Sequence, residues 1–255
     1  MANEPNFIII GAQKSGTTWL VDMLKLHPQI FINREEVHYY DNNYEKGKEW
    51  YLNHFKEAKE NQLIGEKTPD YFGFSSKVVP LIYKDNREIK LILILRNPLE
   101  RAISAYNHYV RMGSVSPFKS INTYFRKAMN GNDYLDILTY SEYRKNLDDY
   151  LKYFNPDQIF MTSYEEMMSN KMDILRNIEE FLNIEEFSQY HTEMKSNAFN
   201  KSFLSLLTNY YVPFLNPITK RLDKYLPNYK QKPNKGIFED LSKHLEASIE
   251  THAQI

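Results

Sequence analysis

The segment GAQKSGTT, residues 11–18, follows the apolar run FIII and has the spacing of a phosphate-binding loop. Backbone N–H groups in a glycine-containing turn before a helix form a concave anion site, and a lysine or hydroxyls add donors. In loops that bind nucleoside triphosphates the lysine follows the second glycine, whereas here Thr17 follows Gly16 and the lysine is Lys14. The loop therefore predicts a phosphate-like ligand and a transferred group different from that of a kinase. The alternative is a turn that only connects a strand to a helix.

A second candidate for chemistry is NREEVHYYD, residues 33–41. If residues 36–40 are extended, alternate side chains share one face, so that Glu36, His38 and Tyr40 lie together. A carboxylate in a closed cleft can act as general base on a hydroxyl, and a neighbouring histidine can orient it or share the proton. The alternative is a surface turn with a solvated glutamate and a packed histidine.

Two further segments place cations at the ends of predicted strands. In GEKTPDYF, Pro69 favours extended backbone before it, so QLIG ends a strand and Lys67 lies at its exit, where it can neutralise a leaving oxygen. In LILILRNPLERAISAY, Arg96 emerges at the carboxyl end of a strand, where α/β sheets bind ligands, and can fork onto a phosphate. Ser104 lies two turns into the following helix. The alternatives are a surface lysine, a structural ion pair of the arginine and a packed serine.

Alternating strands and helices position these segments. Short apolar runs at 7–10 and 91–95 are typical of buried parallel strands, and helical spacing or a proline at the first helical position follows each. The predicted elements are strands at 7–10, 91–95 and 158–162, and helices at 16–27, 98–112, 142–154 and 171–182. This alternation predicts an α/β fold with a central parallel sheet flanked by helices.

Length and composition favour one soluble domain. The chain of 255 residues is 42% hydrophobic and can bury one sizeable core, so we expect a single domain over residues 1–255. Residues 220–236 are basic and proline-punctuated and predict partly irregular chain before a final helix at 239–251. A first strand by residue 7 and no apolar run near roughly 18 residues predict a cytoplasmic location, without signal peptide or membrane span.

The charge and cysteine content exclude several classes. The net charge of −1 predicts no general affinity for nucleic acid or acidic membranes. The absence of cysteine excludes disulfides, thiolate metal sites and cysteine nucleophiles. We therefore expect no nucleic-acid or membrane partner, and the oligomeric state is open.

Taken together, the order and spacing of QKSGTTWL, EKTPDYF and LRNPLERAISAY resemble those of sulfotransferases that use 3′-phosphoadenosine 5′-phosphosulfate (PAPS) as donor. EVHYYD, the pair Trp50 and Tyr51, and LILILRNP resemble the branch that sulfates heparan sugars. The resemblance covers residues 7–182 well. It implies a P-loop-like three-layer fold, PAPS as donor, no metal, and sulfuryl transfer to a hydroxyl of a carbohydrate or small polar molecule.

The resemblance also implies roles for single residues. Arg96 and Ser104 would bind the 3′-phosphate, Glu36 would be the general base, and Lys67 and His38 would assist. The 5′-phosphosulfate end would be bound by loop residues, namely Lys14, Ser15, Gly16, Thr17, Thr18 and Trp19. Because Lys14 precedes Gly16 in the loop, it would contact a sulfuryl group on a 5′-phosphate. Such a site need hold neither a triphosphate nor magnesium.

Two departures from the family pattern bear on these roles. SGTTW also resembles the branch acting on phenols and steroids, whose base is a histidine in an R-x-H-L-P-like segment, but no such segment occurs here. That favours Glu36 over His38 as base. The family's late lysine-glycine-arginine loop is matched only by Lys235 and Gly236, because Ile237 follows them. The missing cysteine pair of the animal heparan enzymes fits a reducing compartment.

Two other functions compete with this interpretation. A P-loop kinase is disfavoured by the position of Lys14 and by the lack of a clear magnesium-binding aspartate after a second strand. A non-catalytic adenine-nucleotide-binding module would keep the fold without turnover. The acceptor is not specified by the sequence, since aromatic side chains near the motifs can stack on a ring or pack in the core. These side chains are Tyr39, Tyr40, Tyr71 and Phe72.

Overall fold

The structure is a computed structural model, which describes residues 4–193, 202–211, 223 and 228–246. The chain divides into two compact units. The first comprises Met1–Asn97 and Glu142–Ser196, and the second comprises Pro98–Ser141 and Asn197–Ile255. The expected single domain over residues 1–255 stays a prediction.

The first unit is built on a five-stranded sheet with the strand order β2-β3-β1-β4-β5. Its strands are β1 (Phe7–Gly11), β2 (Ile30–Ile32), β3 (Leu63–Lys67), β4 (Lys90–Leu95) and β5 (Ile159–Ser163). All four pairings are parallel, which confirms the predicted sheet. Because the carboxyl ends of parallel strands meet at one edge, the residues that follow β1, β3 and β4 lie at the same edge.

Eleven α-helices occur in the described residues. They are α1 (Thr17–Leu24), α2 (Gly47–Leu52), α3 (Asp70–Gly73), α4 (Ser75–Asp85), α5 (Pro98–Met112), α6 (Ile121–Met129), α7 (Tyr143–Leu151), α8 (Tyr164–Ser169), α9 (Lys171–Leu182), α10 (Phe203–Tyr211) and α11 (Lys235–Glu246). None of these helices is both long and apolar enough to cross a bilayer.

Helices cover both faces of the sheet. Ile8 and Ile10 of β1 pack in one apolar cluster with residues of α4 and α7, while Phe7 and Ile9 pack in another with residues of α1 and α9. Successive residues of a strand point to opposite faces, so the fully apolar β1 serves both clusters. The first unit is thus the three-layer α/β fold that the sequence predicts.

The second unit has its own apolar core. Its buried side chains come from α5, α6, α10 and α11, and include Ala102, Phe125, Leu206 and Leu241. Arg101 is also fully buried, and its guanidinium donates hydrogen bonds to the Ser141 hydroxyl and the Ile137 carbonyl. This arginine therefore stabilises the core of the unit that contains it.

Several predicted boundaries change in the structure. The helices predicted at 98–112 and 171–182 have those bounds, whereas α1 starts one residue later than predicted and ends at Leu24 instead of residue 27. The last helix begins at Lys235, not 239, so the predicted irregular chain ends earlier. Residues 220–222, 224–227 and 247–251 of these predictions lie outside the described residues. The short strand β2 was not predicted.

Candidate active site

The loop between β1 and α1 has the backbone of an anion-binding turn. Lys14 and Gly16 both adopt left-handed conformations, with φ of 72° and 86°. A Cβ on Gly16 would lie 2.7 Å from Cε of Met167 and 3.0 Å from the Tyr164 ring. Position 16 therefore requires glycine for both its backbone conformation and the space around it.

Unsatisfied polar atoms indicate that this loop is built for a ligand. The Ser15 hydroxyl and the Trp19 indole nitrogen are buried, and neither has a hydrogen-bond partner in the described part of the chain. Buried donors without partners are costly, and the first N–H groups of α1 have no carbonyl partner within the helix. Phosphate oxygens would satisfy these donors, so the residues present fit the phosphosulfate end of PAPS.

Arg96 follows β4 as predicted, and it also lies against the loop, which was not predicted. Its Nη1 donates a hydrogen bond of 3.2 Å to the backbone oxygen of Lys14, and its guanidinium carbon lies 4.7 Å from the centre of the Tyr164 ring. A stacked and hydrogen-bonded guanidinium is held in one orientation. Tyr164, which the sequence analysis did not single out, thus contacts Arg96 and also fills the space beside Gly16.

Three predicted site residues belong to the second unit. Ser104 is half-buried on α5, and Lys235 and Gly236 form the first turn of α11 rather than a loop. The Lys235 side chain is exposed, with Nζ 3.9 Å from Oε1 of Glu239. Their roles toward the donor stay predictions.

Glu36 lies between two cations. Its Oε1 accepts a hydrogen bond of 2.6 Å from Nζ of Lys67, and its Oε2 lies 3.4 Å from Nε2 of His38. Burial opposes ionisation of this carboxyl, but the contacts with His38 and Lys67 outweigh it and lower the pKa of Glu36 to about 2. The structure thus brings together Glu36, Lys67 and His38, three of the four side chains that the sequence proposes for catalysis, and the catalytic role of the fourth, Lys14, stays a prediction.

The backbone around these residues is not the predicted extended segment. His38 is left-handed with φ of 52°, and Tyr39–Asn43 form one turn of π-helix. The Asn43 side chain holds this turn by donating to the carbonyls of Val37 and His38. The prediction that Tyr40 shares a face with Glu36 and His38 is wrong, because the turn directs Tyr40 into the core. Glu36 and His38 are adjacent across a turn.

His38 is also bound to a carboxylate that the sequence analysis missed. Its Nδ1 lies 2.7 Å from Oδ2 of Asp41, three residues later. The hydrogen bonds with Asp41 and Glu36 raise the pKa of His38 to about 10, against the opposing effect of burial. At neutral pH His38 is therefore an imidazolium, and it cannot accept a further proton in this state.

Asp70, at the start of α3, is the third acidic residue of this group, after Glu36 and Asp41. Its Oδ1 accepts a hydrogen bond of 3.1 Å from Nε2 of Gln13 in the loop. Burial raises the pKa of Asp70 to about 6, and the nearby carboxylate of Glu36 adds to this. The Gln13 contact connects the phosphate-binding loop to the strand exit that carries Lys67.

Within the described residues, His38, Asp41 and Asp70 have ligand atoms within 4.8 Å of one another and could hold a metal ion. A metal would have to displace the proton of His38, which the raised pKa makes unfavourable. The predicted absence of a metal stays a prediction.

Behind the cleft, Glu66 is buried among hydroxyl groups. Its carboxylate accepts hydrogen bonds from Tyr51, Tyr71 and Thr68, the last two at 2.7 and 3.0 Å. Burial raises the pKa of Glu66. This cluster fixes the strand exit because Oγ1 of Thr68 also accepts a hydrogen bond from the His38 backbone N–H.

The aromatic side chains near the motifs belong to the core. Tyr39, Tyr40, Tyr71 and Phe72 are each at most 2% exposed. Tyr39 stacks on Tyr51 with ring centres 4.3 Å apart. Of the two alternatives for these residues, the structure supports packing over stacking on an acceptor.

The first unit is a three-layer parallel α/β fold with a glycine loop at the carboxyl edge of its sheet. A carboxylate held between a lysine and a histidine lies at the same edge, and this arrangement is typical of proteins that bind phosphate-like groups. The family model described as "Sulfotransferase domain" matches residues 4–249, and the chain belongs to this family. The resemblance inferred from the motifs is confirmed.

Two relatives and one solved structure illustrate the similarity. The chain is 36% identical over 196 residues to heparan sulfate glucosamine 3-O-sulfotransferase 5 of Mus musculus, covering 73% of this chain and 56% of that protein. It is 31% identical over 181 residues to heparan sulfate glucosamine 3-O-sulfotransferase 3A1 of Mus musculus, covering 71% and 46%. The chain spans about half the length of these relatives.

Among solved structures, a sulfotransferase from Alicyclobacillus acidocaldarius has the same fold, with a TM-score of 0.64 and 22% identity over 88% of this chain and 96% of that one. This similarity agrees with the predicted P-loop-like sheet flanked by helices. The heparan-like branch suggested by the motifs is supported by the two relatives in sequence.

Proposed function

We propose that the protein transfers a sulfuryl group from PAPS to an acceptor hydroxyl on a carbohydrate or a small polar molecule. Family membership supports the reaction class, and the relatives' names support a saccharide acceptor. The observation that carries the proposal is the ionised Glu36 between Lys67 and His38, at the sheet edge where the loop lies.

Glu36 would act as general base. It would take the proton of the acceptor hydroxyl as the acceptor oxygen bonds to sulfur and the bond from sulfur to the 5′-phosphate oxygen breaks. A carboxylate with a pKa of about 2 is a weak base. If Lys67 turns from Glu36 toward the charge that develops on the leaving oxygen, Glu36 loses a cationic partner and its basicity rises. Lys67 would thereby link proton removal to departure of the leaving group.

Donor binding would use the loop and Arg96. The buried donors of Ser15 and Trp19 support a phosphosulfate site, with Lys14, Gly16, Thr17 and Thr18 completing the turn. By the family resemblance Arg96 would bind the 3′-phosphate of the donor, and its guanidinium is held in one orientation by Lys14 and Tyr164. Binding of the 3′-phosphate by Ser104, and closure over the donor by Lys235 and Gly236, stay predictions.

Thermal stability with nucleotides tests the donor. The desulfated product, 3′-phosphoadenosine 5′-phosphate (PAP), should raise the melting temperature without metal, and ATP with magnesium should raise it much less, because at equal concentration the ligand that binds the folded state more tightly stabilises it more. Equal stabilisation by ATP would support the kinase alternative. Binding of PAP without PAPS turnover on any of a broad panel of hydroxyl acceptors would support a nucleotide-binding module.

The cytoplasmic location and the absence of a membrane or nucleic-acid partner stay predictions from the sequence.

Measuring PAP release during turnover with neutral, amino and sulfated saccharides would identify the acceptor class directly. Comparing neutral, amino and sulfated acceptors would also show which substituents the side chains around Glu36 accept.

A further inference from the structure

The cluster around Glu36 contains buried hydrogen-bond acceptors that lack donors. Oδ1 of Asp41, whose side chain is 1% exposed, has no hydrogen-bond partner in the described residues, and neither does the buried Oε1 of Gln13. Asp70 lies in the same cluster, with an oxygen within 4.8 Å of ligand atoms of His38 and Asp41. A ligand that satisfies these oxygens has to bring N–H or O–H groups.

The cations of this cluster are hydrogen-bonded to groups other than Asp70. Lys67 is hydrogen-bonded to Glu36, and His38 is shared between Asp41 and Glu36. Lys77 donates to the backbone oxygen of Asp41 from an exposed position. Asp70 instead accepts its hydrogen bond from Gln13, which is a neutral donor.

The surroundings of Asp70 are therefore unfavourable for a second anion. Burial and the carboxylates of Glu36 and Asp41 raise the pKa of Asp70 to about 6, and they outweigh the opposing effects of His38 and of the hydrogen bond from Gln13. An anionic group placed beside it would meet further repulsion, whereas a hydroxyl or an ammonium would be stabilised.

The position of Asp70 relates it to the reacting groups. It follows Lys67 by three residues at the end of β3, and the Thr68 backbone N–H there donates to the Ile9 carbonyl of β1 at 3.2 Å. Gln13, its partner, immediately precedes Lys14 in the loop. A group bound by Asp70 and Gln13 would thus lie next to both the donor loop and the proposed base.

We propose that Asp70, together with Gln13, determines acceptor specificity by binding a hydroxyl or ammonium group next to the reacting hydroxyl, and by disfavouring acceptors that carry sulfate or carboxylate at that place. This inference rests on the proposed sulfuryl transfer and adds an acceptor class to it. A site of this kind differs from a site that binds a densely sulfated acceptor.

The test uses three glucan-type oligosaccharides of equal length that differ at the 2-position: cello-oligosaccharide with hydroxyl, chitosan oligosaccharide with ammonium, and its fully N-sulfated form. Binding of each to the protein saturated with PAP is measured by calorimetry, and turnover with PAPS is measured in parallel. The variants are Asp70→Asn, Asp70→Glu and, as a matched control for loss of one carboxylate, the exposed Asp157→Asn.

The native protein and Asp157→Asn should bind the hydroxyl and ammonium forms at least about tenfold more tightly than the N-sulfated form. Asp70→Asn should reduce that preference to about threefold or less, mainly through KM in turnover, with unchanged PAP affinity, and Asp70→Glu should restore part of it.

The inference is overturned if the native protein binds the N-sulfated form equally well or better, if no form binds, or if Asp70→Asn keeps the full preference. Unchanged PAP affinity shows that the variant is folded. If PAP itself fails to bind, the proposed function fails, whereas a lost preference with intact PAP binding and turnover overturns only the role of Asp70.

Discussion

Oε1 of Glu36 and Nζ of Lys67 lie 2.6 Å apart although 31 residues separate them in the chain. The side chain of Lys67, at the end of β3, is 4% exposed, and the side chain of Glu36, in the cleft beside it, is 37% exposed. A fixed buried cation therefore holds one oxygen of a carboxylate whose remaining surface is accessible. Such an arrangement keeps Glu36 ionised and oriented while an acceptor can approach it.

Glu36→Gln should leave PAP affinity nearly unchanged and still remove most of the turnover. An amide keeps the shape of the carboxylate but cannot take a proton from the acceptor hydroxyl, and general-base assistance is typically worth about 100- to 10,000-fold. The loss should appear in kcat once an acceptor is known. Calorimetric titration with PAP and steady-state kinetics measure the two quantities separately.

His38→Asn is the companion variant and should cost less turnover than Glu36→Gln, because His38 contacts Glu36 and is already protonated at neutral pH. A nearly normal rate for Glu36→Gln combined with an inactive His38→Asn would instead identify histidine as the base.

Arg96→Ala should weaken PAP binding severely. The guanidinium lies against the loop and stacks on Tyr164, and a phosphate contact of this kind contributes a charge-assisted bidentate bond. Arg87→Ala is the matched control, since Arg87 is exposed before β4 and packs on Tyr83. Titration with PAP should show little change for the control, and comparable losses would contradict the assignment of Arg96.

We also expect Arg101→Ala to affect PAP binding much less than Arg96→Ala. Because Arg101 is fully buried and hydrogen-bonded to Ser141 and Ile137, its removal should instead lower the free energy of unfolding. Urea unfolding separates this structural effect from a loss of ligand affinity.

The pH dependence of stability should report the imidazolium of His38. Its pKa is raised from 6.5 to about 10 in the folded protein, so its stabilising contribution is fully present below pH 6.5 and is lost as the pH rises toward about 10. Urea unfolding across this range should show a fall in the free energy of unfolding that is smaller in His38→Asn. An identical fall in both proteins would show that other groups cause it.

Gly16→Ala should destabilise the protein more than Gly131→Ala. Both glycines have positive φ, 86° and 88°, so alanine at either position carries a backbone cost of about 1–2 kcal/mol. A Cβ at position 16 would also displace Met167 and Tyr164, whereas one at position 131 meets nothing within 4 Å. Equal losses in urea unfolding would mean that the side chains around Gly16 adjust without cost.

The elements with strong local signals were predictable from the sequence. β1 and β4 are continuous apolar runs, and Pro98 marks the start of α5. β2 is only three residues long, too short for a recognisable pattern, and depends on pairing with β3. Pairing between distant segments is a property of the fold that local sequence does not reveal.

The candidate site was likewise predictable only where it depends on local sequence. Spacing placed Glu36 near His38 and Lys67 at a strand exit, but it did not reveal the left-handed turn at His38, which brings Asp41 to Nδ1. An aspartate three residues after the histidine was the available signal. Tyr51 lies 15 residues from its partner Glu66, and Gln13 lies 57 residues from its partner Asp70, so only the folded backbone brings these pairs together.

The adjacency of Glu66 and Lys67 in β3 makes that strand intolerant of insertions and deletions. Side chains alternate between the two faces, so a slip of one residue in one direction would send Lys67 among the hydroxyls of Tyr51 and Tyr71. A slip in the other direction would present the carboxylate of Glu66 to Glu36. Core and cleft would be disrupted by the same event. Changes of chain length intended to reshape this protein therefore belong outside residues 63–67, for example in the exposed segment that precedes β3.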